Sequence, residues 1–345
     1  MIAIVSGLPL SGALQGDRLR LGSLVKGAHQ ADPSATLLTL SPHPKSASLA
    51  GIADLLHGEA PYMAWHRHHW SKPSLDQPVD ILCAFQLRVA PQSLTISAKY
   101  RILDLTDSLG LYRHNLGGVP EARKKRWMLQ GIRRSEVQWG RLFNEVWVST
   151  ARDQDWLHKA GLMTRVMENA VPQKKVLPPG DPYHLLFVGN LEYLPNRVGM
   201  TRFLSQVWPV LARNQYQLTV VGKGSEHLKE PGVTGCGYVL SVEPYYLDAG
   251  IVISPVPLGS GSQNKILEAM GFGRPVVAAT EALAGLTPVQ RAAVLPAAVA
   301  ADWPKQLASL HDWQLYHRIV ESGFRAVPMA GDTVAARFLE LLGTL

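Results

Sequence analysis

Short apolar runs alternate with longer segments of helical period along most of the chain. IAIVS (2–6), TLLTL (36–40), DILCAF (80–85), YRILDL (100–105) and EVWVST (145–150) read as strands. Between the last two, residues 120–145 read as one long helix with Pro120 in its first turn, and residues 151–161 as a shorter helix ending at Gly161. The pattern then breaks. NAVPQKKVLPPGDPY, residues 169–183, holds four prolines and a glycine and predicts an irregular linker. It restarts with the strand HLLFVGN, a helix over 195–212, the strands QLTVVG and GIVISP, the short helix NKILEAMGFG and the strand PVVAAT. Strand–helix alternation of this kind predicts parallel sheets covered by helices. The expected organisation is an α/β chain of two doubly wound, Rossmann-like domains, 1–172 and 184–345, joined by a linker over 173–183. The last helix is free to pack back on the first domain. Ligands of open parallel sheets bind at the carboxyl ends of the strands, so two such domains would face a central cleft.

A length of 345 residues, at roughly 150 per domain, agrees with two domains. An apolar fraction of 46% against 18% charged excludes a disordered chain. Cys83 and Cys236 lie far apart in sequence, support neither a disulfide framework nor a zinc site, and suit a reducing compartment. MIAIVSGLPLSG lacks a basic start and meets a Gly/Pro turn early, so it reads as a first strand rather than a leader. No apolar run reaches the ~20 residues that span a bilayer. A cytoplasmic location is expected, with peripheral attachment to the inner face of the membrane as an option. The formal charge of +7 favours anionic partners, a set that includes nucleotides, phospholipid surfaces and nucleic acids.

The densest chemistry lies in residues 253–280. A strand ends in a proline turn, followed by Gly259-Ser260-Gly261-Ser262 and a helix starting near Gln263. Glycines let backbone N–H groups approach a ligand, and a helix start adds unpaired donors and partial positive charge. The combination suits a diphosphate. Lys265 supplies a point charge for the same phosphates, and Glu268, three residues on and on the same face, can accept hydrogen bonds from ribose hydroxyls. A glycine-rich turn with a capped helix and a solvated Lys/Glu pair is the plainer alternative. The Walker loop is not matched, because Asn264 precedes the lysine. Gly222-Lys223-Gly224 follows another strand, but His227 stands where the dinucleotide fingerprint has its third glycine. Lys223 is either a phosphate ligand or a surface lysine in a turn.

FVGNLEYLPN, LTVVGKG, GIVISP and GSGSQNKILEAMGFGRPVVA, in this order, resemble the donor domain of retaining GT-B glycosyltransferases, family 4-like. EVWVST followed by RVMENAVP resembles the segment that ends the first domain of that family, and YRILDLTDSLGLYR a loop of its bacterial surface-polysaccharide subgroup. The resemblance implies a GT-B fold and transfer of a sugar from a nucleotide-sugar donor, UDP- or GDP-linked, held by the second domain. It also implies an acceptor on the first domain, retention of configuration, and no metal or other cofactor. Gly189, Asn190 and Arg197 then join Lys223, the 259–262 loop, Lys265 and Glu268 at the donor, and Lys265 neutralises the leaving diphosphate. Of the two glutamates that the family carries seven residues apart, the second matches Glu268 and the first falls on Ser260. Asn190 stands where the family has an arginine, so the phosphate charge is left to Lys265, Lys223 or Arg197, or to a group of the other domain.

Other features belong to the acceptor side. GLPLSGALQGDR places Gly12 for close backbone approach and Arg18 on the following helix, or is a plain strand–helix turn. AWHRHHW (64–70) lacks the fixed spacing of a metal site and reads as an acceptor-side loop with exposed aromatics. In DLTDSLG, Asp104 is read as a turn residue and Asp107 as the group that orients the acceptor hydroxyl or acts as base. Arg123, Lys124, Lys125, Arg126, Arg133 and Arg134, with Trp127, Met128 and Ile132 among them, suit either an anionic membrane surface or a solvated helix face. The acceptor is a glycan, a lipid-linked sugar or a small molecule; nucleic acid is disfavoured as a partner. The rival readings are a non-catalytic nucleotide-sugar or nucleic-acid binding protein on the same scaffold, and an epimerase or phosphorylase of this fold.

Overall fold

The apolar runs of the first half form a parallel six-stranded sheet in the computed structural model. The structure describes all residues except 11–15, 43–48, 76, 118, 172–177, 258–260 and 328–331. The strands are β1 (Ile2–Ser6), β2 (Thr36–Thr39), β3 (Val79–Phe85), β4 (Ala98–Thr106), β5 (Glu145–Val148) and β6 (Arg165–Val166), in the order β2-β1-β3-β4-β5-β6. Ile4 pairs with Leu37 on one side and Cys83 on the other, so the apolar N-terminal run is an internal strand, buried throughout. This sheet belongs to a unit made of Met1–Asn169, Ser260–Ser262 and Ala330–Leu345.

Helix Asp332–Leu342 packs on helix Gly16–Ala31 within this unit. Gly27 permits the approach: a Cβ there would stand 2.7 Å from Val334 Cγ1. Val334, Phe338 and Leu341 join Ile2, Ile4, Leu24, Phe85 and Trp147 in one core. Arg337 adds an ion pair with Glu145.

The single long helix expected over residues 120–145 is not formed. A 3₁₀ turn Pro120–Ala122 leads into helix Arg123–Met128, and a second helix, Ile132–Gly140, follows a break. Gly131 sits at φ 74°, a left-handed conformation that suits glycine and stops the first helix. The basic residues are therefore divided between two short helices.

The second unit, Ala170–Gly259 and Gln263–Met329, has its own parallel sheet. Its strands are β7 (Asp181–Val188), β8 (Gln217–Val221), β9 (Val233–Gly237), β10 (Ala249–Ser254), β11 (Val276–Ala279) and β12 (Val294–Ala297), in the order β12-β11-β10-β7-β8-β9. Counted within this unit the order is 6-5-4-1-2-3, that of dinucleotide-binding folds. Strand β7 begins at Asp181, inside the segment expected as linker; Pro182 is tolerated because it stands at the strand's start. Residues 173–177 of that expected linker lie outside the described residues. Two apolar clusters cover the two faces of the sheet. One is built on Phe187, Phe203, Trp208 and Tyr316, the other on Leu186, Val252, Tyr246 and Met270. Among the described residues, no helix is long and apolar enough to cross a membrane.

Candidate functional site

Strands β7 and β10 are neighbours at the point where the order of the second sheet reverses, and the crevice beyond their carboxyl ends is where such sheets hold ligands. Gly189 directly follows β7. Gly222, just past β8, has φ 137°, and a Cβ on it would collide with the Gly189 carbonyl. Gly189 in turn leaves room for the Asn196 amide, which a Cβ would meet at 2.9 Å. Helix Leu194–Gln206 is drawn in at Gly199, whose Cβ position is filled by the carbonyl of Pro255 just past β10. Three strand ends and one helix start are thus brought together by backbone contacts that only glycine allows.

Helix Asn264–Gly271 follows β10 and carries Lys265 and Glu268, both half-buried. The Lys265 ammonium stands 5.8 Å from the Phe187 ring centroid and 3.5 Å from Gln263 Oε1. Burial lowers its pKa to about 8, against the pull of Glu268. Glu268 is raised by burial to about 7, opposed by the Tyr246 hydroxyl, which donates to Oε2 at 3.2 Å, and by Lys265. Tyr246 is itself fixed by stacking on Phe272 with centroids 4.6 Å apart. The helix thus presents a desolvated cation and a desolvated carboxyl beside the strand ends. A diphosphate would strengthen the first, and sugar hydroxyls would pair the second.

The other sequence-predicted donor residues have local duties. Asn190 Oδ1 accepts the Glu192 N–H at 2.8 Å, and its carbonyl accepts from Asn196 Nδ2 at 2.9 Å. Lys223 forms an exposed ion pair with Glu192 at 3.0 Å. Arg197 is exposed in the first turn of its helix. Gly261, at φ 71°, and Ser262 group with the first unit, where the Asn169 amide donates to Ser262 Oγ. Gly259, Ser260 and Gly12 lie outside the described residues.

In the first unit, Asp104 is fully buried and receives both contacts from Arg20 Nε, at 2.9 and 3.0 Å. Arg20 also donates to the carbonyl of Met167 and to Asn169 Oδ1. Asp104 is therefore one half of a buried ion pair. Three residues on, Asp107 accepts from Ser149 Oγ at 2.6 Å. Burial and then Asp153 raise its pKa to about 7, with Ser149 opposing. Between them, Thr106 takes φ 65°, rare for a β-branched residue, and its buried Oγ1 has no partner. Strain of this kind concentrates at functional sites. Glu136 lies under the next turn, raised by burial to about 8 while Ser108 Oγ donates to it. Arg18 Nε reaches the Pro9 carbonyl at 3.4 Å.

Tyr246, Ser149, Arg20 and Glu136 were not visible as site residues in the sequence. Each acts through a partner more than 20 residues away, and nothing in spacing announces such a pair.

Residues 182–311 match the family Glycosyl transferases group 1. No curated protein sequence matches the chain. Among solved structures, sucrose-phosphate synthase from Thermosynechococcus elongatus is similar with a TM-score of 0.70 at 14% identity, covering 99% of this chain and 98% of that one. HepE from Anabaena in complex with UDP gives 0.63 at 16% identity, covering 100% of both chains. TarM from S. aureus, in complex with Fondaparinux, alpha-GlcNAc-glycerol and UDP, gives 0.58 at 13% identity over 76% of this chain and 55% of that one. The fold is GT-B. The group 1 domain carried on it supports glycosyltransferase activity, the transfer of a sugar from a nucleotide-sugar.

Proposed function

We propose that this chain is a retaining, metal-independent glycosyltransferase that uses a UDP- or GDP-sugar and belongs with the family 4-like enzymes of bacterial surface-polysaccharide synthesis. The observation that carries the reading is Lys265 and Glu268 on one helix at the strand-order reversal of a group 1 domain. The structural neighbour HepE has been seen with UDP and with UDP-glucose, which favours a uridine donor here. In this reading Lys265 and the start of helix Asn264–Gly271 stabilise the leaving diphosphate, a preorganised electrostatic effect that takes the place of a metal. Glu268 holds the ribose. Asp107, on the first unit, orients or deprotonates the acceptor hydroxyl. The acceptor is a glycan, a lipid-linked sugar or a small molecule, met by a cytoplasmic enzyme; a lipid-linked acceptor would be met at the anionic inner leaflet.

Thermal stabilisation by a panel of nucleotide sugars identifies the donor; ligand at 100 times its dissociation constant adds ~2.7 kcal/mol. Transfer to acceptor mixtures with and without EDTA, with the anomeric configuration read by NMR, tests the rest. Inversion, or activity abolished by EDTA and restored by a metal, would refute the corresponding part. Stabilisation without turnover on any acceptor would favour a non-catalytic binding protein.

A further inference from the structure

Trp70 is anchored beside the carboxyl ends of three strands of the first sheet. Its backbone makes an antiparallel bridge to Pro42, just past β2. Its indole lies 3.0 Å from where a Cβ on Gly7, just past β1, would stand. The Arg88 guanidinium, in the 3₁₀ turn Leu87–Val89 just past β3, is 6.0 Å from its ring centroid. Strands β1 and β3 flank the point where the order of this sheet reverses, the ligand position of such sheets.

Helix Pro61–Arg67 completes the cluster. His66 stacks parallel to Trp70 with centroids 6.1 Å apart and meets Tyr62 edge-on at 4.4 Å. Burial, then Arg88, His69 and Lys125, hold His66 down to about 3, so its ring is neutral at pH 7. Burial and then Arg88 lower Lys125. Lys125 stands on helix Arg123–Met128, which packs against helix Pro61–Arg67, so it adds to the positive charge around Arg88. Arg88 donates to Gln86 Oε1, and the Gln86 amide passes the contact to Asp17 at 2.9 Å. Among the described residues, neither Arg88 nor Lys125 forms an ion pair with a carboxylate.

Three polar atoms of the cluster are shielded from water without a partner: His66 Nδ1, Trp70 Nε1 and Arg88 Nε. The last two are obligate donors. Buried donors without acceptors are rare in folded proteins, and two in one cluster beside an unpartnered imidazole nitrogen call for oxygens from elsewhere. An aromatic platform, two cations free of carboxylates and orphan donors form a complement to a ring that carries a negative charge. Arginine binds carboxylate and phosphate through its planar fork, and aromatic faces take the apolar side of a pyranose.

We propose that this cluster is a subsite for an anionic sugar, with the pyranose on Trp70 and its phosphate or carboxylate on Arg88 and Lys125. It rests on the reading of the first unit as the acceptor side and specifies that the acceptor bears a negative charge next to the ring it presents.

The test is titration calorimetry at pH 7 under saturating UDP, with glucuronate, glucose 1-phosphate and glucose as probes. The expected result is binding of at least one anionic sugar and much weaker binding of glucose. Arg88→Met and Lys125→Gln should each weaken the anionic probe about tenfold, the loss of one charge-assisted contact. Arg88→Lys should keep most of the affinity, and Lys265→Ala should leave it unchanged. The ratio of glucuronate to glucose 1-phosphate affinity separates a carboxylate ligand from a phosphate ligand. Failure of both anionic sugars to bind, glucose binding as well as they do, or unchanged affinity in both Arg88→Met and Lys125→Gln overturns the proposal. Affinity lost in Lys265→Ala but kept in Arg88→Met also overturns it, because the probe then occupies the second unit. UDP titrated alone tests the donor reading separately. Absent UDP binding would sink that reading while the Arg88 comparison still stands.

Discussion

The Tyr246 hydroxyl donates to Glu268 at 3.2 Å, which ties the carboxyl of one helix to an aromatic residue of another across the second unit. With Lys265 three residues earlier, the result is a desolvated acid and a desolvated base whose pKa values, about 7 and about 8, have moved toward each other.

This convergence predicts the pH dependence of stability. Glu268 is raised from 4.5 to about 7, so the folded chain holds its proton more tightly. Its contribution is full below pH 4.5 and is lost as pH rises through 7. Lys265 is lowered from 10.5 to about 8, so the folded chain gives up its proton sooner. Its contribution is full above pH 10.5 and is lost as pH falls through 8. Glu268→Gln should flatten the decline of Tm between pH 4.5 and 7, and Lys265→Met the rise between pH 8 and 10.5. Profiles that match the parent in both windows would contradict the burial.

The same pair predicts how a nucleotide binds. Lys265→Ala should weaken UDP by ~1.5–3 kcal/mol, the worth of a charged hydrogen bond. A bound diphosphate raises the lysine's pKa, so calorimetry at pH 8 in two buffers of different ionisation enthalpy should show proton uptake. Glu268→Gln should weaken UDP and uridine alike; a loss confined to UDP would remove the ribose assignment.

Gly222 tests the backbone scaffold. Its φ of 137° and its contact with the Gly189 carbonyl leave no room for a methyl group. Gly222→Ala should cost about 1–3 kcal/mol in urea unfolding. It should also displace the loop after β7 and weaken nucleotide binding; parent-like stability would show that the loop can yield.

Asp107 sets the acid limb of the rate profile if it acts as base. Transfer should rise with pH to a midpoint near 7, its raised value. Ser149→Ala removes the hydrogen bond that favours the ionised form and should move that midpoint to higher pH. A midpoint that stays in place would separate Asp107 from the proton transfer.

Membrane docking rests on a smaller surface than one long helix would offer. Arg123, Lys124 and Arg126 share helix Arg123–Met128 with Trp127, which is 57% exposed. At about 1 kcal/mol per cation near an anionic leaflet, changing the three to serine should abolish co-sedimentation with anionic vesicles at low salt. Equal recovery of the parent on anionic and neutral vesicles would point to a soluble acceptor.

The central strands were legible because burial on both faces writes them as unbroken apolar runs, as in IAIVS and GIVIS. The three strands not anticipated, β6, β9 and β12, all stand at sheet edges. β6 is two residues long, β9 reads VTGCG, and β12 contains Pro296, a residue tolerated at an edge. The break at Gly131 did carry a signal, a glycine inside a helical run, but helical periodicity continued on both sides and masked it. Lys265 and Glu268 could be singled out because loop and helix are contiguous in sequence. The cluster around Trp70 could not, since residues 7, 42, 66, 70, 88 and 125 meet only once the sheet has formed.

Helix Asp332–Leu342 belongs to the unit that begins with β1, and the second unit occupies the chain between Ala170 and Met329 apart from residues 260–262. In order of synthesis the second unit is therefore a guest inside its host. The ribosome completes nearly the whole guest before it supplies Val334 and Phe338, which cover Gly27 and Trp147 of the host. The host thus waits, with part of its core open, for residues made after the guest. Arrested chains ending near residue 329 should show a protease-resistant guest and a still-digestible host.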